Sequence, residues 1–249
     1  LMPSSGSKNW TYVANQPLSG VTEDFRMLRT NLEFFAVDAP QRTLMLTSSS
    51  IGEGKSTISS NLAIMMAMDD NYKQVILVDA DFRRPVLSDV LEIDQSVGLS
   101  DVISHNLPLA EVLVPFPDNP RLKILPAGTV PPNPTELLIS QRMDHVIAEL
   151  AGMADKVIFD GPPVTVADAS VLAKKVDGVL LVVRPGHSSR AAVAAMKEQM
   201  ERVGANVLGI VLNTVRARTP YYSVQRPNKK PRGFKKNPEV GSETRIEGA

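Results

Sequence analysis

The chain has 249 residues, 27 Lys and Arg against 27 Asp and Glu, no Cys and 19 Pro, and is 43% hydrophobic. That length allows one large domain or two small ones, and the lack of Cys excludes a disulfide framework and thiolate metal or redox centres while suiting a reducing compartment. No run of about 18 apolar residues is present to cross a bilayer as a helix, and the polar stretch from Leu1 to Tyr12 lacks a signal-peptide layout.

Leu1 ahead of Met2 points to a fragment or an added leading residue. From Arg216 onward nine Lys and Arg face three Asp and Glu, so the last 34 residues carry +6 and the first 215 carry −6. Residues 1–17 read as a polar lead-in. Helical spacing begins near Ser19, with Phe25, Leu28, Leu32 and Phe35 on one stripe. Short apolar runs then alternate with helical stretches. The runs Thr43–Thr47, Val75–Asp79, Leu122–Leu125, Val157–Asp160, Val179–Val183 and Val207–Leu212 have the composition of strands buried on both faces of a parallel sheet. Helices are predicted near Lys55–Met68, Thr135–Gly152, Ala167–Lys175 and Ser188–Val203. The alternation predicts a doubly wound α/β domain over residues 18–215, its central sheet mainly parallel and flanked by helices. Residues 216–249, rich in Pro, Lys, Arg and Asn, are expected to form a basic, mobile tail.

The first strand runs into Ser48-Ser49-Ser50-Ile51-Gly52-Glu53-Gly54-Lys55-Ser56-Thr57 and then a helix. Strand, Gly-rich turn, Gly-Lys-Ser and helix are the context of a phosphate-binding loop. Small residues let backbone N–H groups converge on phosphate, and the helix N-terminus adds its own. Lys55 brings a full charge to the β- and γ-phosphates, and the Ser56 hydroxyl is a Mg²⁺ ligand. Ser50, Gly52, Glu53, Gly54 and Thr57 complete the nucleotide-binding stretch. Ser49 stands where a first Gly is expected. Two strands end in carboxylates, Asp79 followed by Asp81, and Asp160. In a parallel sheet these ends share one edge, so all three acids are candidates for the metal and the γ-phosphate. Asn213, at the end of the last strand, is either a reader of a purine edge or a turn former.

The spacing of Gly52-Glu53-Gly54-Lys55-Ser56, Val78-Asp79-Ala80-Asp81-Phe82-Arg83 and Phe159-Asp160-Gly161-Pro162-Pro163 resembles the Walker A, A′ and B motifs of the bacterial tyrosine kinases. These are P-loop proteins related to the MinD and ParA ATPases. Glu23-Asp24-Phe25-Arg26-Met27-Leu28-Arg29 fits that family's E-x-x-R-x-x-R oligomerisation motif, and Pro131-Pro132-Asn133-Pro134 resembles its Pro-rich segment. Ser at position 49 is normal for the family, whereas Ile51 sits where many members have Pro. The resemblance implies ATP and Mg²⁺ as cofactors and autophosphorylation of C-terminal tyrosines, in trans between neighbours of a ring. It implies control of capsular or exopolysaccharide synthesis, and a membrane-embedded activator, fused or separate, that holds the kinase at the inner face of the cell membrane. By resemblance Lys55, Asp79, Asp81 and Asp160 are catalytic, with Asp79 accepting the tyrosine proton. Glu23, Arg26 and Arg29 are oligomerisation residues, although charge pattern alone reads as a solvated helix face. Tyr221 and Tyr222 are the expected acceptors, in a tail whose basic residues also suit an anionic membrane surface. The basic run has no interleaved aromatics, which argues against nucleic acid. Two other functions fit the same motifs: a MinD/ParA-like ATPase switch, disfavoured because Ser49 and Ser50 replace the extra Lys of those relatives, and a nucleotide-binding regulatory subunit without tyrosine transfer.

Overall fold

The computed structural model describes residues 11–35, 41–93 and 96–214. Seven strands form one sheet: β1 (Thr43–Ser48), β2 (Val75–Asp79), β3 (Val114–Phe116), β4 (Asn119–Leu125), β5 (Lys156–Asp160), β6 (Gly178–Val183) and β7 (Val207–Leu212). Their order is β3-β4-β2-β5-β1-β6-β7, and every pairing is parallel except that of β3 with β4. Strand β3 was not anticipated. It is three residues long, contains Pro115 and has a register shift beside it, which are marks of an edge strand.

Strands β1, β2, β5 and β6 are buried along their whole length, so each carries apolar side chains on both faces. The period of two divides them between two cores. Met45, Val78, Phe159 and Leu181 face a cluster completed by Met143, Leu150, Leu172 and Met196. Leu44, Leu46, Leu77, Ile158 and Val182 face the other, with Ile58, Leu62, Met66, Phe25 and Leu32.

On the second face lie α2 (Gly20–Phe35) and α3 (Lys55–Ala67), preceded by the short α1 (Tyr12–Asn15). Helix α3 is apolar and buried nearly all round, because the sheet covers one side while α1 and α2 cover the other. Within the expected polar lead-in, Val13 of α1 is buried and its N–H donates to Asn61 Oδ1 at 2.9 Å. The short helices α4 (Leu87–Leu91), α5 (Leu99–His105) and α6 (Leu109–Val112) also escaped the sequence reading.

The predicted helix over 135–152 is two helices, α7 (Pro134–Ile139) and α8 (Gln141–Met153). Ser140 breaks it at ψ 150°: its hydroxyl donates to Leu137 O at 2.7 Å and accepts from Met143 N at 3.2 Å, capping α8. The remaining helices, α9 (Ala167–Ala173) and α10 (Arg190–Arg202), run within their predicted spans. Ser189 caps α10 by accepting from Ala192 N, 3.1 Å away. Among the described residues no helix is long and apolar enough to cross a membrane. The expected tail, with Tyr221 and Tyr222, lies outside the described residues, as do residues 1–10 of the lead-in.

Candidate active site

The strand order decides what meets at the carboxyl edge of the sheet. The turn after β1 has β5 on one side and β6 on the other, with β2 beyond β5 and β7 beyond β6. Chain direction away from β1 therefore splits at the P-loop, the position where open α/β sheets bind ligands.

The loop itself needs its glycines. Gly52 (φ +84°) and Gly54 (φ +89°) are left-handed, and a Cβ on Gly54 would lie 2.0 Å from Asn213 Nδ2. The first rung of the α3 ladder is Ile58 N–H to Gly54 O, 2.9 Å. The preceding N–H groups of Lys55, Ser56 and Thr57 are thus the free donors of a helix start.

Glu53 does something the motif does not announce. Its buried carboxylate accepts from Ser49 N (2.7 Å), Ser49 Oγ (2.6 Å), Ser50 N (3.2 Å) and Ser188 Oγ. Burial alone would raise its pKa, but the hydrogen bonds from Ser188, Ser49 and Ser50 outweigh it and hold the group below the ordinary glutamate value. Its side chain braces the loop, which leaves only its backbone to face a nucleotide. The same bonds give a physical reason for Ser at position 49, whose hydroxyl and N–H both serve the brace. Asn213, buried, donates from Nδ2 to Glu53 O at 2.9 Å and accepts from Thr214 N at 2.8 Å. Its amide is thereby committed to the loop and the adjacent turn.

Lys55 sits at the centre of the acids. Its Nζ is 3.4 Å from Asp81 Oδ2, from Asp160 Oδ1 and from Ser56 Oγ. Burial would lower its pKa, but the carboxylates of Asp160, Asp81 and Asp79 reverse this and raise it. The parallel register sets Asp79 directly beside Asp160. Burial first, and then the Asp160 charge, push Asp79 above the usual carboxylate range. Burial raises Asp81 as well, against the opposing effect of Lys55.

Asp79 is fully buried, and its oxygens accept from the backbone N–H groups of Val86 (3.0 Å), Leu87 (3.0 Å) and Asp81 (3.3 Å). It therefore anchors the loop that carries Asp81 and does not touch Lys55. Asp160 accepts from Ser59 Oγ at 3.0 Å through Oδ1, while Oδ2 is buried without a hydrogen-bond partner.

Among the described residues no three acids or imidazoles form a ready chelate. The donor set still fits Mg²⁺: the orphaned Asp160 Oδ2, Asp81 and the Ser56 hydroxyl are hard oxygens beside a phosphate-binding turn. Mg²⁺ takes few protein ligands and completes its shell with phosphate and water.

A second cluster escaped the sequence reading. Arg83, just past Asp81, donates from Nε to Asp168 Oδ2 at 2.7 Å and from Nη2 to Asp168 Oδ1 and Thr135 Oγ1, both at 3.3 Å. Thr135 Oγ1 also donates to Asp168. Burial would raise Asp168, but the bonds from Arg83 and Thr135 hold its carboxyl below the ordinary value. The only signal in the sequence was an acid in the first turn of the helix after the Walker B strand.

The outer helix α2 divides its charged triplet. Glu23 and Arg26 pair with each other and are exposed. Arg29 instead reaches inward to Asp69 Oδ2 at 2.6 Å, just past the end of α3, and lies 3.5 Å from Glu33 Oε1. The expectation that all three share one outward stripe is corrected at Arg29, which is mostly buried because Asp69 and Glu33 surround it.

Known proteins give the family. The family model described as "ParA: NUBPL iron-transfer P-loop NTPase" matches residues 40–227. The tyrosine-protein kinase YwqD of Bacillus subtilis (strain 168) is 37% identical over 199 residues, covering 80% of this chain and 83% of that protein. The tyrosine-protein kinase CpsD of Streptococcus agalactiae serotype III (strain NEM316) is 38% identical over 195 residues, with 78% and 82% covered. The solved kinase domain of the Escherichia coli tyrosine kinase ETK superposes with a TM-score of 0.79 at 32% identity, covering 84% of this chain and 81% of that one. P-loop membership implies nucleotide binding, usually with Mg²⁺. A Gly-Lys-Ser turn, acids on two neighbouring strand ends and these relatives agree: the chain belongs to the bacterial tyrosine kinases, a branch of the ParA-type P-loop NTPases, and is a protein-tyrosine kinase.

Proposed function

We propose that this kinase transfers the γ-phosphoryl group of Mg-ATP to tyrosines of its own C-terminal tail, Tyr221 and Tyr222, in trans between copies of the chain. In this reading it serves capsular or exopolysaccharide synthesis under a membrane-embedded activator at the inner face of the cell membrane. The observation that carries the reading is the convergence of Lys55 with Asp81 and Asp160, each 3.4 Å away, beside the P-loop.

Phosphoryl transfer asks mainly for positioning and charge stabilisation. Lys55 neutralises the transferring group, and the backbone of Gly52 to Thr57 cradles the phosphates. Ser56, Asp81 and Asp160 hold Mg²⁺, which when bound neutralises charge on the phosphate oxygens. Asp79 accepts the tyrosine hydroxyl proton, a role its upward-shifted pKa favours. Asp81 is the competing base, because both Asp79 oxygens already accept backbone N–H groups while Asp81 Oδ2 faces Lys55. Glu23 and Arg26 contribute to contacts within a ring, and the basic tail approaches acidic lipid headgroups or a neighbour's acidic body.

The test is mass spectrometry of the tail after incubation with Mg-ATP and an activator segment. Phosphate on Tyr221 or Tyr222 that disappears in Lys55→Met is the expected result. Free phosphate without phosphotyrosine means an ATPase switch, and nucleotide binding without turnover means a regulatory subunit. Either one overturns the proposal.

A further inference from the structure

Four consecutive carbonyls of the P-loop are each tied down by a side chain. Ser50 O accepts from Ser48 Oγ (2.8 Å), Ile51 O meets His187 Nε2 (3.2 Å), Gly52 O accepts from Arg184 Nη1 (3.2 Å), and Glu53 O accepts from Asn213 Nδ2 (2.9 Å). In a trans peptide the C=O of one residue and the N–H of the next point in opposite directions. Fixing the carbonyls of Ile51, Gly52 and Glu53 therefore fixes the N–H groups of Gly52, Glu53 and Gly54 on the other side of the turn. With left-handed φ at Gly52 and Gly54, this is the geometry of a concave anion nest.

Two of the four ties, and one bond to the Glu53 carboxylate, come from a single turn between β6 and α10. That turn, Arg184 to Ser188, is built around Ser188. The Ser188 hydroxyl accepts from Arg184 N at 3.0 Å and donates to Glu53 Oε1. The N–H groups of His187 and Ser188 both donate to Arg184 O, at 3.0 and 2.9 Å, and Gly186 is left-handed at φ +84°. Ser189, next in the chain, caps α10. The turn is a preformed block fastened to a helix, and the P-loop leans on it.

We propose that Arg184, His187 and Ser188 are positioning residues for nucleotide binding, acting through the P-loop backbone and the Glu53 carboxylate to hold the phosphate-binding N–H groups in place before ATP arrives. The inference rests on the Mg-ATP reading above. Its consequence is that nucleotide affinity depends on a turn 130 residues downstream of the Gly-Lys-Ser motif that need not touch the phosphates. Preorganised donors cost little to align when the anion binds, whereas a loosened turn must be ordered by the ligand.

The experiment measures Mg-ADP affinity by calorimetry and the KM and kcat for Mg-ATP, in the full chain. Wild-type protein comes first: if it does not bind Mg-ADP, the kinase reading fails and not the positioning role. Given wild-type binding, Ser188→Ala is expected to weaken Mg-ADP about tenfold and raise KM by a similar factor, the scale of losing one charge-assisted hydrogen bond. The change in kcat is smaller, the nucleotide-free melting temperature falls by no more than about 5 °C, and Ser188→Thr restores affinity to within about twofold of wild type. Arg184→Ala/His187→Ala, at two exposed positions, repeats the affinity loss in a variant whose fold is not at stake. The inference is overturned if both Ser188→Ala and the double variant bind Mg-ADP like wild type. It is equally overturned if affinity and nucleotide-free stability fall together and Ser188→Thr restores neither.

Discussion

Two clusters, each built on one basic side chain, draw on neighbouring residues, Asp81 and Arg83, and behave in opposite ways. Around Arg83 every group is satisfied: Asp168 receives a bidentate guanidinium and a threonine hydroxyl, and its carboxyl is held below its ordinary pKa. Around Lys55 nothing closes properly. Three contacts sit at 3.4 Å, two acids are pushed upward by burial and one carboxylate oxygen has no partner. Arg83 and Asp81 are two residues apart, so the contrast reflects surroundings and not composition. A buried carboxylate with its partners in place is costly only when stripped of them, whereas crowded, under-satisfied charge persists where a ligand is due to complete it.

The largest test of this contrast is Lys55→Met. It is expected to cut phosphotyrosine formation by roughly 10³-fold or more in a radiolabel or immunoblot assay, while circular dichroism stays native. Full autophosphorylation by the purified variant would remove the assignment. Next, Asp81→Asn and Asp79→Asn separate the two candidate bases: the true base should lose roughly 10²- to 10⁴-fold in kcat, and the other should show its main effect on Mg²⁺ dependence or on stability.

The satisfied cluster should respond in stability and not in chemistry. Asp168→Ala removes the bonds from Thr135 and from Arg83, whose 45% exposed side chain turns to solvent, and is expected to cost about 1–2 kcal/mol in denaturant unfolding, with kcat below the melting temperature altered only a fewfold. A loss of kcat with no loss of stability would make the Arg83 cluster part of the machinery.

Acid titration of nucleotide-free protein should show both signs. Asp79 and Asp81 have raised pKa values, so the native state binds protons more readily than the unfolded chain, and stability rises as pH falls through their titration from above. Asp168 and Glu53 have lowered values, so their contribution is complete above the unfolded value of about 4 and drains away as pH falls through the folded one. Unfolding free energy against pH should therefore pass through a maximum on the acid side of neutrality. A monotonic fall from pH 8 downward would contradict the raised values.

The smallest effects belong to α2. Glu23→Ala is expected to shift monomer stability by less than about 0.5 kcal/mol, as befits an exposed ion pair, yet to reduce the sedimentation coefficient if Glu23 and Arg26 join copies of the chain. Arg29→Ala, which removes the inward bond to Asp69, should cost more, about 1–2 kcal/mol.

Much of this was legible because the strands announce themselves. Val75-Ile76-Leu77-Val78 and Val157-Ile158-Phe159 can only be buried runs, and each ends in Asp, so the doubly wound sheet and the acids at its edge were readable together. The motif residues 52 to 57 carried their own context. What stayed hidden was whatever depends on partners distant in the chain. Asp168 reads as an ordinary first-turn acid until Arg83 is seen beside it, and Ser188 as a helix-start polar residue until Glu53 turns toward it. Glu53 sits in the nucleotide-binding stretch by motif, but the hydroxyls that hold its carboxylate come from Ser49 and from Ser188, 135 residues away. Of the two readings open for Asn213, its bonds to Glu53 O and from Thr214 N match the turn former. Ser140 offered no visible break because its hydroxyl replaces the hydrogen bonds that the helix gives up. Arg29 shows the limit of spacing arguments: the triplet's periodicity is outward-facing in projection, but a long side chain follows the acid it can reach.

Helix α3 has Lys55 in its first turn at one end, and Asp69, grasped by Arg29, just beyond the other. Thirteen residues make a rod of about 20 Å, so a tilt of about 3° at the phosphate end displaces the far end by about 1 Å. Packed between the sheet and helices α1 and α2, with Asp69 held by Arg29, such a rod would carry that displacement to α2. A tilt imposed at the phosphate end would then reach the protein's outer surface as the leverage of a rigid helix, with no relay of side-chain flips in between.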